Sequence, residues 1–218
     1  MKEEKKNDYI SVATTQRIPF YLTYLKKKYK EGVKSISSTV IARDLDLNDV
    51  QVRKDLHAVS NIGGKPKVGY EIIQLISDLE MFLGYNFIDH AILVGCGSLG
   101  RALLSYSGFD DYGLKIIAGF DSYTPIIGTK IAGKTVYSIQ RLQEIVVEEN
   151  VRIGIIAVPQ NSAQEVCDQM VACGIRAIWN FAPIKLQVPE GVIVQNENMA
   201  VSLAVLSRHL LEQIYQKK

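Results

Sequence analysis

Along the first 85 residues the apolar positions recur at helical intervals. Ile18, Tyr21, Leu22 and Leu25 mark a helix from Gln16 to Tyr29, followed by Lys26-Lys27-Lys28 and stopped by Gly32. Ser37 or Ser38 caps a short helix carrying Val40, Ile41 and Leu45. Asn48, with Gln51 three residues on, has capping-box spacing and opens a helix that runs to about Val59. In that helix Val52, Leu56 and Val59 share one face, leaving Gln51, Arg53, Lys54 and His57 outward. Two short helices around a tight turn have the form of a helix-turn-helix. Ser60 to Gly69, broken by Gly63, Gly64 and Pro66, reads as a hairpin or loop with Lys65 and Lys67 at its tip, the wing of a winged helix. An amphipathic helix from Tyr70 to Leu83 leads out of this unit.

After residue 85 the period changes. His90 to Gly95, Lys115 to Asp121, Arg152 to Val158 and Ala177 to Phe181 are short, nearly continuous apolar runs. Helical patterns at Ser98–Tyr106, Ile139–Glu149 and Ser162–Cys173 separate them. Buried strands alternating with helices predict a parallel sheet covered on both faces. Asn198 to Tyr215 closes the chain as a helix apolar on more than one face, and so packed against more than one body. The expected class is α/β: a winged helix-turn-helix over 1–85, a Rossmann parallel-sheet domain over 86–198, and a C-terminal helix over 199–218.

Charge divides at the same place. The formal net charge of +2 conceals 14 Lys or Arg against 8 Asp or Glu in residues 1–70, and 11 against 15 thereafter. A basic first unit suits a polyanion such as DNA. No stretch approaches 18 continuous apolar residues, and Met1 to Lys6 precede no apolar run, so neither a membrane span nor a secretory signal is expected. Cys96, Cys167 and Cys173 form neither a CxxC pair nor an even set, which excludes a disulfide framework and a cysteine-held metal, and sets a reducing, cytoplasmic context.

Gly95-Cys96-Gly97-Ser98-Leu99-Gly100 is a GxGxxG between a strand and a helix, and Asp121 ends the next strand 21 residues after Gly100. Gly95 permits the turn, Gly97 lets a pyrophosphate approach the backbone, and Gly100 lets helix pack on strand. The helix N-terminus offers free amides to phosphate, and Asp121 would take ribose hydroxyls and repel a 2′-phosphate, favouring NADH and NAD⁺. The alternative is a glycine turn with no ligand. Val158 and Pro159, with Asn180 and Phe181, stand at strand ends where an apolar nicotinamide pocket is expected. Cys96 in the phosphate loop is either a small tolerated residue or a regulatory thiol. His57, His90 and His209 fit no catalytic layout and no metal spacing, so no enzyme chemistry is expected. The candidate DNA contacts are Ser38, Gln51, Arg53, Lys54 and His57, with Lys65 and Lys67 on the hairpin.

Several stretches carry a resemblance: Arg17-Ile-Pro-Phe-Tyr-Leu-Thr-Tyr-Leu, Ile36-Ser-Ser, Val52-Arg-Lys-Asp-Leu, Val68-Gly-Tyr, Gly100-Arg-Ala-Leu-Leu, Ile155-Ile-Ala-Val-Pro, Asn180-Phe-Ala-Pro and Val188-Pro-Glu-Gly-Val. Over nearly its whole length the chain resembles the Rex family of redox-sensing repressors. The resemblance implies a homodimer that exchanges the C-terminal helix, binds NADH and NAD⁺ competitively, and leaves an AT-rich palindromic operator when NADH binds. It also implies Tyr106 near the nicotinamide, and Arg17 as a link from the first helix to the partner's Rossmann domain. Asn198 stands where the family usually has an Asp paired with that arginine, and Pro66-Lys67 replaces a plainer basic-glycine turn. The competing readings are a small NAD-dependent oxidoreductase with a basic appendage, and a CoA-binding Rossmann domain.

Overall fold

A computed structural model describes residues 10–60, 69–85 and 89–215. The chain divides into two compact units, Met1–Phe87 and Ile88–Lys218.

In the first unit α1 (Val12–Lys30) is capped by the Ser11 side chain, which accepts from the Thr14 amide. It begins four residues before the apolar periodicity does and runs straight through Pro19. A proline inside a helix costs about 3 kcal/mol. Burial of Ile18, Tyr21, Leu22 and Leu25 offsets that cost, at about 1.5–3 kcal/mol for each apolar side chain. Ser37, rather than Ser38, caps α2 (Ser38–Asp44). Asn48 caps α3 (Asp49–Val59) through the Val50 and Gln51 amides. A tight turn holding Asp46 at φ 53° joins the two helices. The amphipathic run that closes the unit is β2 (Tyr70–Glu71), paired antiparallel with β1 (Ser35–Ile36), and then α4 (Ile72–Leu83). Gly69 must lack a side chain, because its φ is +81° and a Cβ would lie 2.4 Å from the Ile36 carbonyl oxygen. The expected wing tip, with Lys65 and Lys67, lies outside the described residues.

The second unit is a seven-stranded sheet in the order β5-β6-β4-β3-β7-β8-β9. These strands are β3 (Asp89–Val94), β4 (Leu114–Asp121), β5 (Lys130–Ile131), β6 (Lys134–Ser138), β7 (Ile153–Ile156), β8 (Ala177–Asn180) and β9 (Ile193–Asn196). All neighbours pair parallel except β5 with β6. Between the strands lie α5 (Ser98–Ser105), α6 (Leu142–Glu148) and α7 (Gln160–Ala172). One face of the sheet buries Ile92, Val94, Phe120 and Ile156 with Leu142, Val146, Cys167 and Met170 of α6 and α7. The other buries Ala91, Leu93 and Ile155 with Leu104 of α5. The strand order reverses at β3, so the crevice beyond the carboxyl ends of β3, β4 and β7 is where such a sheet takes a ligand. The last helix, α8 (Met199–Tyr215), keeps its apolar residues Val201, Leu203, Val205, Leu206, Leu210, Leu211, Ile214 and Tyr215 between 46% and 69% exposed.

Candidate dinucleotide site and nucleic-acid interface

The glycine loop is built by backbone approach. Gly95 donates its amide to the Phe120 carbonyl at 2.8 Å and sits at φ +102°, where a Cβ would fall 2.6 Å from the Ala157 carbonyl oxygen. At Gly100 a Cβ would fall on the Gly95 carbonyl oxygen, so α5 packs on the loop only because that side chain is missing. Gly97 differs from both: a Cβ there meets nothing within 4 Å. Gly97 is also the N-cap of α5 and supplies no capping side chain, so the helix presents its first amides, with the positive end of its dipole, to open space. Of the three glycines, Gly97 is the one the protein itself does not require; an approaching phosphate does.

That space belongs to a cavity of about 630 Å³ lined by Gly95, Cys96, Gly97, Ser98, Asp121, Val158 and Pro159 among others. Asp121 holds it in shape. One carboxylate oxygen accepts from the Cys96 amide at 2.7 Å and the other from the Tyr123 amide at 2.8 Å. Each carboxylate oxygen keeps a further lone pair that a ligand hydroxyl could use. Replacing Asp121 with alanine removes charge-assisted hydrogen bonds to ligand and to loop alike. Affinity for NADH should fall about ten- to hundredfold in calorimetry, and the preference over NADPH should narrow. An unchanged affinity would contradict the assignment.

Arg101, which the spacing of the motif did not single out, lines the same cavity and donates to the Cys96 carbonyl at 3.2 Å. A cation in the first turn after the glycines is well placed for a pyrophosphate. Tyr123, Ile139 and Glu165 also line the cavity. Cys96 is buried beneath the loop, and burial, with Asp121 adding to it, pushes its pKa up to about 11, which disfavours a reactive thiolate.

The expected nicotinamide residues divide between two places. Val158 and Pro159 share the cavity with Asp121, whereas Leu99, Gly100, Tyr106, Asn180 and Phe181 are not part of its lining. Asn180 is fully buried, and its amide donates to the Ala182 and Ile184 carbonyls and to Asn196. It shapes the turn after β8 rather than offering itself to a ligand. Tyr106 and Phe181 instead end a run of rings: Tyr106 against Phe109 at 4.8 Å, Phe109 against Trp179 at 5.6 Å, and Trp179 against Phe181 at 4.7 Å between centroids. The Trp179 indole donates to Glu197 at 3.0 Å, beside the root of α8.

On the first unit α3 presents Gln51, Arg53, Lys54 and His57 outward, all exposed. Arg53 also bonds Asp49 one turn back at 3.1 Å. Ser38 is buried, so it offers no open surface. The side chain that sequence reasoning passed over is Asp55, 1% exposed on α3. It accepts from Thr14 at 3.1 Å, from Arg17 at 2.7 and 2.9 Å, from Tyr21 at 2.8 Å and from Gln51 at 2.9 Å. Burial works against this carboxylate, yet hydrogen bonds from Arg17, Tyr21, Gln51 and Thr14 outweigh it and hold its pKa below the ordinary value. The same burial and contact push Tyr21 up to about 12. Arg17, expected as a link to a partner, therefore bonds Asp55 of its own unit. Asn198, expected opposite it, caps α8 by accepting from the Ala200 and Val201 amides.

A helix pair for DNA joined to a Rossmann sheet with a bare phosphate loop defines a nucleotide-responsive DNA-binding protein. Two family models divide the chain in the same way, one described as a putative DNA-binding protein N-terminus over residues 9–57, the other as a CoA binding domain over residues 88–184. The redox-sensing transcriptional repressor Rex of Porphyromonas gingivalis is 45% identical over 193 residues, 88% of each chain, and that of Bacteroides fragilis is 39% identical over 95% of this chain and 94% of its own. Crystal structures of the Rex-family repressor RSP superpose with a TM-score of 0.88 in complex with β-NAD⁺ and operator DNA, and 0.84 in complex with β-NADH. RSP is 33% identical, and the matches cover at least 95% of both chains. The chain belongs to the Rex family of redox-sensing transcriptional repressors.

Proposed function

We propose that this chain is an NADH-responsive repressor that binds a palindromic operator as a homodimer and leaves it when NADH occupies the Rossmann domain. The observation that carries the reading is the loop itself, an open α5 N-terminus over Gly97 with Asp121 and Arg101 beside it, in a chain whose architecture matches a repressor crystallised with operator DNA and with both nucleotides. Loop amides and Arg101 hold the pyrophosphate and Asp121 holds a ribose. Val158 and Pro159, in the same cavity, provide an apolar wall for the nicotinamide. Such a wall favours the neutral reduced ring, because a charged ring loses more hydration on burial. It must also favour one arrangement of the dimer, since equal affinity for both shifts nothing.

The exposed apolar face of α8 supports exchange of that helix between two copies, and Lys54 and His57 support contact with phosphate and base edges. A reducing cytoplasm is the compartment this reading assigns. The test is binding to palindromic duplexes selected from a random library, at one fixed salt concentration because phosphate-driven affinity depends steeply on salt. Tight binding that NADH weakens by at least tenfold is expected, with no oxidation of NADH over time. A protein that turns NADH over and ignores every duplex would be an oxidoreductase instead.

A further inference from the structure

Gln51 is the third residue of α3, in the N-terminal part of a recognition helix that reaches base edges. Its side chain is exposed, but its Nε2 donates to Asp55 Oδ1 at 2.9 Å. An ionised carboxylate only accepts hydrogen bonds, so the amide nitrogen must face Asp55 and the carbonyl oxygen must turn outward. One N–H is thereby taken, and the oxygen and second N–H remain as an outward pair. That pair complements the N6 donor and N7 acceptor of adenine in the major groove. A free glutamine would reach this state only after losing the freedom of three side-chain torsions. Here the torsions are set before DNA arrives.

Asp55 in turn does not act alone. Arg17 grips it through two nitrogens, and Tyr21 and Thr14 fill its remaining positions. All three come from α1, so the first helix holds the carboxylate that orients the reading side chain. We propose that Gln51 is a specificity-determining residue for one A·T pair of the operator. Asp55 fixes its amide for that task, and Arg17 is a positioning residue that acts through Asp55. The proposal rests on the repressor reading above and names the base that one side chain reads.

The test uses the full chain, a random double-stranded DNA library to define the preferred site, and fluorescent duplexes carrying each single base-pair change in it. Gln51→Ala should lose roughly ten- to hundredfold in affinity for the preferred duplex and flatten preference at one A·T position, keeping the ranking elsewhere. Asp55→Asn should weaken preference at that same position. Combined with Gln51→Ala it should cost nothing more there, the non-additivity expected when one residue works through the other. Because Asp55→Asn removes the charge that Arg17 grips and so also threatens the fold, Gln51→Glu serves as a second variant. It removes the N–H that Asp55 holds and should also abolish the adenine preference, with its fold checked by circular dichroism. A Gln51→Ala protein that keeps its preference at every position, or weakens on all duplexes alike, overturns the proposal while leaving the repressor reading intact. A parent protein with no preferred duplex would sink that reading instead.

Discussion

Gly97→Ala is expected to leave the protein as stable as its parent and to remove dinucleotide binding. A Cβ at this position meets nothing within 4 Å, and its φ of −69° is one that alanine adopts, so the fold has no reason to respond. What the methyl group does fill is the space over the α5 N-terminus that a pyrophosphate must enter. Gly100→Ala makes the contrast. Its Cβ would collide with the Gly95 carbonyl, so loop or helix must move, with a stability loss of about 1–3 kcal/mol as well as loss of binding. In titration calorimetry both variants should bind NADH at least a hundredfold more weakly, but only Gly100→Ala should melt earlier. Both should still bind operator DNA and no longer leave it when NADH is added. NADH affinity within threefold of the parent in Gly97→Ala would mean that the phosphates lie elsewhere.

The second large effect belongs to α8. Leu206 and Leu210 are one turn apart and, respectively, 64% and 56% exposed in the single chain. Exposed leucines at such spacing are the surface a second copy would cover. Leu206→Glu with Leu210→Glu removes two leucines from each of two copies, about 6–12 kcal/mol of apolar burial. The dimer should dissociate at micromolar concentration in sedimentation velocity, with circular dichroism preserved because neither residue belongs to a described core. Affinity for a palindrome should fall toward that for a half-site. A double variant that sediments as a dimer would place the interface on another surface.

The parts of this protein that were legible in its sequence are those where a single local requirement fixes the residue type. A strand buried on both faces must be apolar, which exposed β3, β4, β7 and β8. A helix that starts beneath a phosphate must begin with glycine, which exposed the loop and, by spacing, Asp121. The strands that went unseen lie at or next to the two edges of the sheet: β5, with its hairpin partner β6, holds Lys130, Lys134 and Thr135, and β9 holds Gln195 and Asn196, since an edge needs no continuous apolar run. Their turn was equally hidden, because Ala132 takes a φ of 48° that is more often given to Asn or Gly.

In the site, the residues that escaped were those whose role depends on three-dimensional partners. Asp55 carries no local sign of its role, because its partners Thr14, Arg17 and Tyr21 all come from α1. The resemblance pointed Arg17 toward a partner's Rossmann domain, and its bond to Asp55, 38 residues along the chain, left no local sign in the sequence. Asn180 looked like a pocket wall by its place at a strand end, and its burial shows it holding the turn. Phe109 and Trp179 gave no local sign that they join Tyr106 to Phe181.

The most direct test of redox sensing uses the one tryptophan of the chain, Trp179, which lies among those rings. NADH absorbs where tryptophan emits and NAD⁺ does not, so energy transfer from Trp179 reports the reduced nucleotide in place. A labelled palindromic duplex in the same cuvette reports release through its anisotropy. As NADH is added, both signals should change together and reach half their amplitude at the same concentration. NAD⁺ at equal concentration should leave the duplex bound. Transfer that saturates while the duplex stays bound, or equal release by NAD⁺, would contradict an account in which the reduced ring frees the DNA.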